Sequence, residues 1–210
     1  MSLVETDWLE KNISSVKIID CSWHMPQTKR NGLEEYKKQH IPNSLFFDLD
    51  ANSKQKIDLP HMLVNQIEWE EIVSKMGIKN DDKIVIYDNS DVISSCRCWF
   101  NFIYFGHNPK LVHVLNGGLK KWIKENKEVT NNVTSITRSK YKSFEKKEFV
   151  KKKEQIDLNI KEQNFKVIDA RSKERFEGKV PEPRKGLRSG SIKNSFCIPF
   201  NLCLSEDKTF

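Results

Sequence analysis

The chain has 210 residues, 37% apolar and 31% charged, with a formal net charge of +7. These values suit a soluble globular fold of one large domain or one and a half ordinary ones. They exclude a membrane span, since no apolar run approaches the ~20 residues such a helix needs, and the opening Met-Ser-Leu-Val-Glu-Thr-Asp-Trp lacks the basic-then-apolar layout of a secretion signal.

Elements alternate along the chain. Met1-Ser2-Leu3 reads as well as a cloning remnant as it does as structure. Lys17-Ile18-Ile19-Asp20 is a short buried strand ending in a carboxylate, 34–40 is a short helix, and 44–47 is a second strand. Over 66–76, Ile67, Trp69, Ile72, Val73 and Met76 mark one helical face. Ile84-Val85-Ile86-Tyr87 is a β-branched strand. An apolar helix follows over 98–105, then a strand over 111–115, then a short helix opened by Gly117-Gly118 and running through Trp122. Strands alternating with helices predict an α/β fold, a mainly parallel sheet covered on both faces. The stretch 126–145 is polar, β-branched and lysine-rich without a helical stripe, and reads as an interdomain linker.

Beyond it the opening pattern returns. Lys166-Val167-Ile168-Asp169 repeats 17–20, and Gly190-Ser191-Ile192-Lys193-Asn194-Ser195 repeats 39–44 at nearly the same offset, about 150 residues. Strands follow in both, at Leu45-Phe46-Phe47 and Phe196-Cys197-Ile198. The expected organisation is a first domain over 1–125, a linker over 126–145, and over 146–210 the N-terminal part of a second, truncated copy. Half a sheet leaves an open edge and an uncovered apolar face, so the chain is expected to be a piece of a longer protein.

The five cysteines, Cys21, Cys96, Cys98, Cys197 and Cys203, are odd in number and irregularly spaced. They argue against a disulfide framework and for a reducing cytoplasm. Cys96-Arg97-Cys98 lacks the second pair that a metal site needs, so no metal is expected. The basic run from Arg138 to Lys153 has thin aromatic interleaving and no nucleic-acid motif. It reads as a solvated linker and helix face, with neither nucleic acid nor membrane as a partner.

The second copy carries Asp169-Ala170-Arg171, then Arg175-Phe176, then Pro181-Glu182-Pro183-Arg184, then Arg188-Ser189-Gly190-Ser191-Ile192. The first carries His40-Ile41-Pro42-Asn43-Ser44, Phe46-Phe47-Asp48-Leu49-Asp50, His61-Met62-Leu63, Tyr87-Asp88 and Gly117-Gly118-Leu119-Lys120-Lys121-Trp122. Together these motifs resemble, nearly end to end, the tandem-domain rhodanese superfamily, and most of all its 3-mercaptopyruvate and thiosulfate sulfurtransferases. The resemblance implies two rhodanese domains, an inactive first and a catalytic second. It implies transfer of sulfur from a small anionic donor, through a cysteine persulfide, to a thiol or cyanide, with no cofactor. In such enzymes the nucleophilic cysteine follows the strand equivalent to 84–87. Here that position holds Asp88, so the first copy is expected to be chemically silent. In the second copy the cysteine falls near residue 238, about 150 residues past Asp88 and beyond Phe210, so the 210-residue piece is expected to be inactive. Cys197 and Cys203 do not match that position and read as packing residues.

For substrate binding the resemblance points to Arg175 and Arg184, whose planar guanidinium groups suit a carboxylate and keto oxygen. The competing reading is a salt bridge, for instance Arg184 with Glu182 or Glu177. Arg184 tilts the donor toward 3-mercaptopyruvate, because the thiosulfate type carries an acidic residue there. Asp50 and His61 match positions that face the second domain's site, where a histidine–carboxylate pair would orient substrate or move a proton. The alternative is that both decorate a polar loop. Arg97 matches a family arginine expected to tie the interdomain interface. The copy-two turn departs from the family's Gly-His-Ile-Pro-Gly. Thiosulfate sulfurtransferase, or a non-catalytic rhodanese-like binding module, are the alternatives to a mercaptopyruvate enzyme.

Overall fold

In the computed structural model, which describes residues 2–184 and 186–210, the chain divides into one unit ending at Lys147 and another from Glu148 to Phe210. Lys185, inside the arginine-bearing loop motif, lies outside the described residues.

Unit 1 contains β1 (Leu3–Val4), α1 (Thr6–Asn12), β2 (Lys17–Asp20), α2 (Gly32–Lys38) and β3 (Ser44–Phe46). There follow α3 (Gln66–Lys75), β4 (Ile84–Tyr87), α4 (Ser94–Tyr104), β5 (Val112–Leu115) and α5 (Gly118–Lys124). The five strands form one parallel sheet in the order β1-β5-β4-β2-β3. Strand side chains alternate faces, and the core follows that alternation. Ile18, Val85 and Tyr87 join Leu9, Leu119 and Trp122 on one face. Ile19, Ile84 and Ile86 join Trp69, Phe102 and Phe105 on the other. Every residue of β4 is buried, which is why its sequence is a continuous apolar run. Helix α3 begins with a reciprocal capping box between Asn65 and Glu68.

Two sequence expectations change here. Leu3 belongs to the sheet: it pairs with Val114 in parallel register, and the Ser2 carbonyl accepts the Val114 N–H at 2.8 Å. The stretch 126–145 is a strap rather than a linker. Thr130 and His40 exchange backbone hydrogen bonds of 2.8 Å, and the Ser139 N–H donates to the Ser74 carbonyl at 2.9 Å. Tyr141 is buried in the same core as Trp69, and the Phe144 N–H reaches the Phe105 carbonyl at 3.0 Å. The strap's polarity serves backbone pairing along the body of unit 1, so its composition resembles a linker while its position does not. Its basic residues are partly paired as well, Arg138 with Glu71 and Lys142 with Glu70.

Unit 2 contains α6 (Lys153–Glu162), β6 (Val167–Asp169), α7 (Lys173–Phe176) and β7 (Ser195–Cys197). β6 and β7 pair in parallel, Val167 opposite Ser195 and Asp169 opposite Cys197. This is the register of β2 on β3, where Ile18 lies opposite Ser44 and Asp20 opposite Phe46. The turn before each second strand also matches. Asn43 and Asn194 both adopt left-handed backbone, with φ of 64° and 66°, a conformation asparagine tolerates. On the two-stranded sheet, Ile168 and Phe196 stay more than half exposed.

Candidate functional site

In a parallel α/β sheet, the loops at the carboxyl ends of the strands are where binding groups gather. In unit 1 the loop after β4 begins at Asp88, which is buried. Its Oδ1 accepts the Ser90 N–H at 2.8 Å and its Oδ2 accepts the Ser95 N–H, in the first turn of α4, at 2.7 Å. Burial raises its pKa against the pull of these donors. Backbone donors therefore do converge in this loop, although its sequence lacks the glycines of an anion cradle. They converge on the protein's own carboxylate. Gly118 seals the arrangement: at φ +56°, a side chain there would place Cβ 2.4 Å from the Asp88 carbonyl oxygen. Above the loop, Glu35 accepts two bonds of 2.7 Å from Arg30 and one of 3.0 Å from Asn89. Buried His24 sits 3.2 Å from the same carboxylate. These side chains are thus already paired with one another.

Asp50 and His61 come together in the loop between β3 and α3, with His61 Nε2 2.7 Å from Asp50 Oδ1. Two further residues take part that the sequence did not single out in this way. Trp23 donates its indole N–H to Asp50 Oδ2 at 2.9 Å, and Arg97 donates to the His61 backbone carbonyl. Arg97, expected at an interdomain interface, makes this bond inside unit 1.

Arg175 and Arg184 belong to unit 2. Arg175 follows β6 on α7 and pairs with Glu182. Glu182 also accepts from Arg171 at 2.7 Å, and Arg171 grips Asp169 and the Gly190 carbonyl. Arg175, then Arg171, hold the Glu182 carboxyl below its usual range. The hydrogen bonds of Arg171, followed by its charge, do the same for Asp169. The expected alternative pairing of Glu182 with Arg184 is not the one formed: Arg184 is exposed and has no hydrogen bond or ion pair among the described residues. The two arginines thus differ in state, one held on a carboxylate and one open to solvent.

All five cysteines are free. Cys197 ends β7 with its thiol 3.8 Å from the Arg171 carbonyl, an acceptor that stabilises no thiolate. Cys203 is exposed in a short 3-10 turn. Burial pushes Cys96 up to about 11 and raises Cys21 as well. Burial of this kind does not activate Cys21 or Cys96 as a sulfur nucleophile.

The parallel five-stranded sheet flanked by helices, with its strand pairing repeated in part by unit 2, defines an α/β protein built on a partly duplicated domain. Residues 5–125 match the family model described as Rhodanese-like domain, and the chain belongs to that family. It is 37% identical over 221 residues to the mitochondrial thiosulfate/3-mercaptopyruvate sulfurtransferase 1 of Arabidopsis thaliana, covering 94% of this chain and 58% of that protein. It is 31% identical over 214 residues to the 3-mercaptopyruvate sulfurtransferase of Mus musculus, covering 98% of this chain and 71% of the relative. The crystal structure of SseA from Escherichia coli, described as a 3-mercaptopyruvate sulfotransferase, superposes with a TM-score of 0.89 at 28% identity, covering all of this chain and 79% of that one. The chain therefore spans between about three-fifths and four-fifths of the length of these three proteins.

Proposed function

We propose that the protein is a sulfurtransferase that takes sulfur from 3-mercaptopyruvate and passes it to a thiol or cyanide through a cysteine persulfide. The observation that carries this reading is the resemblance to proteins named for that activity, which extends over nearly the whole chain and includes the arginine loop of unit 2. The two units are read as copies of one domain, the first filled by Asp88 and the second the catalytic one. In the reaction, a thiolate attacks the donor sulfur, the carbon–sulfur bond breaks, and the enolate of pyruvate leaves and takes a proton. The cysteine retains the sulfur until an acceptor nucleophile attacks it. The thiol belongs at the copy-two position equivalent to Asp88, near residue 238, and the 210-residue chain alone is inactive on this reading.

Arg175 and Arg184 hold the donor's carboxylate and keto oxygen in this scheme, and Asp50 with His61 orients substrate or moves its proton. Arg184 favours mercaptopyruvate over thiosulfate because an unpaired guanidinium suits a carboxylate. A reducing cytoplasm fits the five free thiols. The test is pyruvate release and cyanolysable sulfur measured for the complete gene product and for the 210-residue chain. A higher kcat/KM with thiosulfate would overturn the donor assignment, and turnover by the 210-residue chain would overturn the placement of the thiol.

A further inference from the structure

We infer that Trp23 and Arg97 are positioning residues that fix the tautomer and backbone of His61, leaving its Nδ1 as the proton-accepting nitrogen. Only the use made of that nitrogen rests on the sulfurtransferase reading.

The Asp50–His61 pair is on the surface, with the Asp50 side chain 69% exposed. An exposed pair of this kind gains little, because water competes for both partners. What distinguishes this one is that both carboxylate oxygens are committed. An indole N–H only donates and a carboxylate only accepts, so the 2.9 Å Trp23–Asp50 bond has one polarity and holds Oδ2. Oδ1 is then turned to His61 Nε2 at 2.7 Å, and it can accept only if Nε2 carries the proton. The neutral ring is left with its lone pair on Nδ1. Trp23 also meets the imidazole edge to face, with ring centroids 4.8 Å apart and planes at 89°, which restricts rotation of the ring.

The backbone of His61 needs its own support, since φ is 54°, a left-handed conformation uncommon outside glycine. The Arg97 guanidinium supplies it through the His61 carbonyl. Arg97 lies over Phe100, 5.7 Å from the ring centroid, and its Nε–H is buried without a hydrogen-bond partner among the described residues. A buried donor left unpaired is costly. The fork is retained at that cost, and the bond it makes is the one that holds the strained residue in place.

The test is 15N spectroscopy of the full chain with labelled histidine, His61 being assigned through His61→Gln. In the wild type the neutral His61 ring should be the Nε2–H tautomer. In Trp23→Phe it should become a mixture, as it should in Asp50→Asn. Trp23→Phe added to Asp50→Asn should produce no further change, because Trp23 acts through Asp50. Arg97→Lys should leave the tautomer in place and move the His61 backbone coupling away from its left-handed value. Signals of His24, His40, His107 and His113 report whether each variant is folded. In the complete enzyme, Trp23→Phe should lower kcat about 10-fold with KM within about two-fold, a small part of what acid–base catalysis supplies. A single unchanged tautomer in folded Trp23→Phe overturns the inference, as does a shift of equal size in the Asp50→Asn background. If no variant, wild type included, turns over while the tautomer still shifts, the sulfurtransferase reading fails and the positioning inference stands.

Discussion

The hydroxyl of Tyr141 lies 3.0 Å from Nδ1 of His107, with the two rings stacked nearly parallel. One residue comes from the strap and the other from the turn that follows α4, so the strap closes the core that α3 and α4 share. A chain cut after residue 125 loses this lid, while one cut after 147 keeps it. We expect the 1–147 piece to unfold cooperatively and the 1–125 piece to be markedly less stable in urea. Tyr141→Ala in the intact chain should cost roughly 3–5 kcal/mol, the range for truncating a buried aromatic side chain, and equal urea midpoints for variant and wild type would refute it.

Asp20 and Asp169 occupy the same place in their units, and each accepts the N–H two residues on. Their surroundings push them in opposite directions. Burial raises Asp20 to about 6, while Arg171 lowers Asp169. A carboxyl whose folded pKa is raised supports the fold while protonated, and that support is lost as pH rises through the folded value. Asp20→Asn removes the titration. Its stability relative to wild type should therefore improve between pH 4.5 and 7.5, by about 2 kcal/mol on the linkage relation. Chemical denaturation at the two pH values measures this, and a difference that does not change with pH would contradict it.

Arg184 and Arg175 should respond differently to replacement. On the proposed function, Arg184→Gln removes an open cation and should reduce kcat/KM for 3-mercaptopyruvate about 10- to 100-fold, the worth of a charge-assisted hydrogen bond. Thiosulfate turnover should change by less than about threefold, since that donor has no carboxylate. Arg175→Gln leaves Glu182 with one cation fewer, so it should also lower the thermal transition of unit 2. Parallel losses with both donors for Arg184→Gln would show that it serves general anion attraction.

Asp88→Ala strands the N–H groups of Ser90 and Ser95. Each buried unpaired donor costs about 1–3 kcal/mol, so the variant should melt several degrees lower. A small anion such as sulfite at millimolar concentration should restore part of the loss. A variant as stable as wild type would show that water takes the place of the carboxylate.

The legible parts of the fold were those written in side-chain polarity. β4 is plain because all four residues are buried, and α3 because Trp69, Ile72, Val73 and Met76 form one face on the core, although Ile67, expected on that face, is 79% exposed. The strap was misread because its polar residues pair through the backbone, which composition does not report. Helix α4 begins at Ser94, four residues before its apolar run, after Ile93 turns through left-handed backbone at φ 51°. Nothing in Ser94-Ser95-Cys96 signals that start. At the candidate site, motif matching selected Asp50, His61, Arg175 and Arg184. It could not show that Glu182 would hold Arg175 rather than Arg184, nor that Trp23 would reach Asp50, 27 positions further along the sequence.

The carboxylate of Asp88 already occupies the backbone donors of Ser90 and Ser95, so on the proposed function unit 1 should not respond to added sulfur anions. A domain whose cradle awaits a ligand gains thermal stability when the ligand arrives, and one that carries its own has none to gain. Unit 1 is thereby a built-in reference: in a melting experiment with added sulfur anions, its transition marks the baseline against which any response elsewhere in the protein is read.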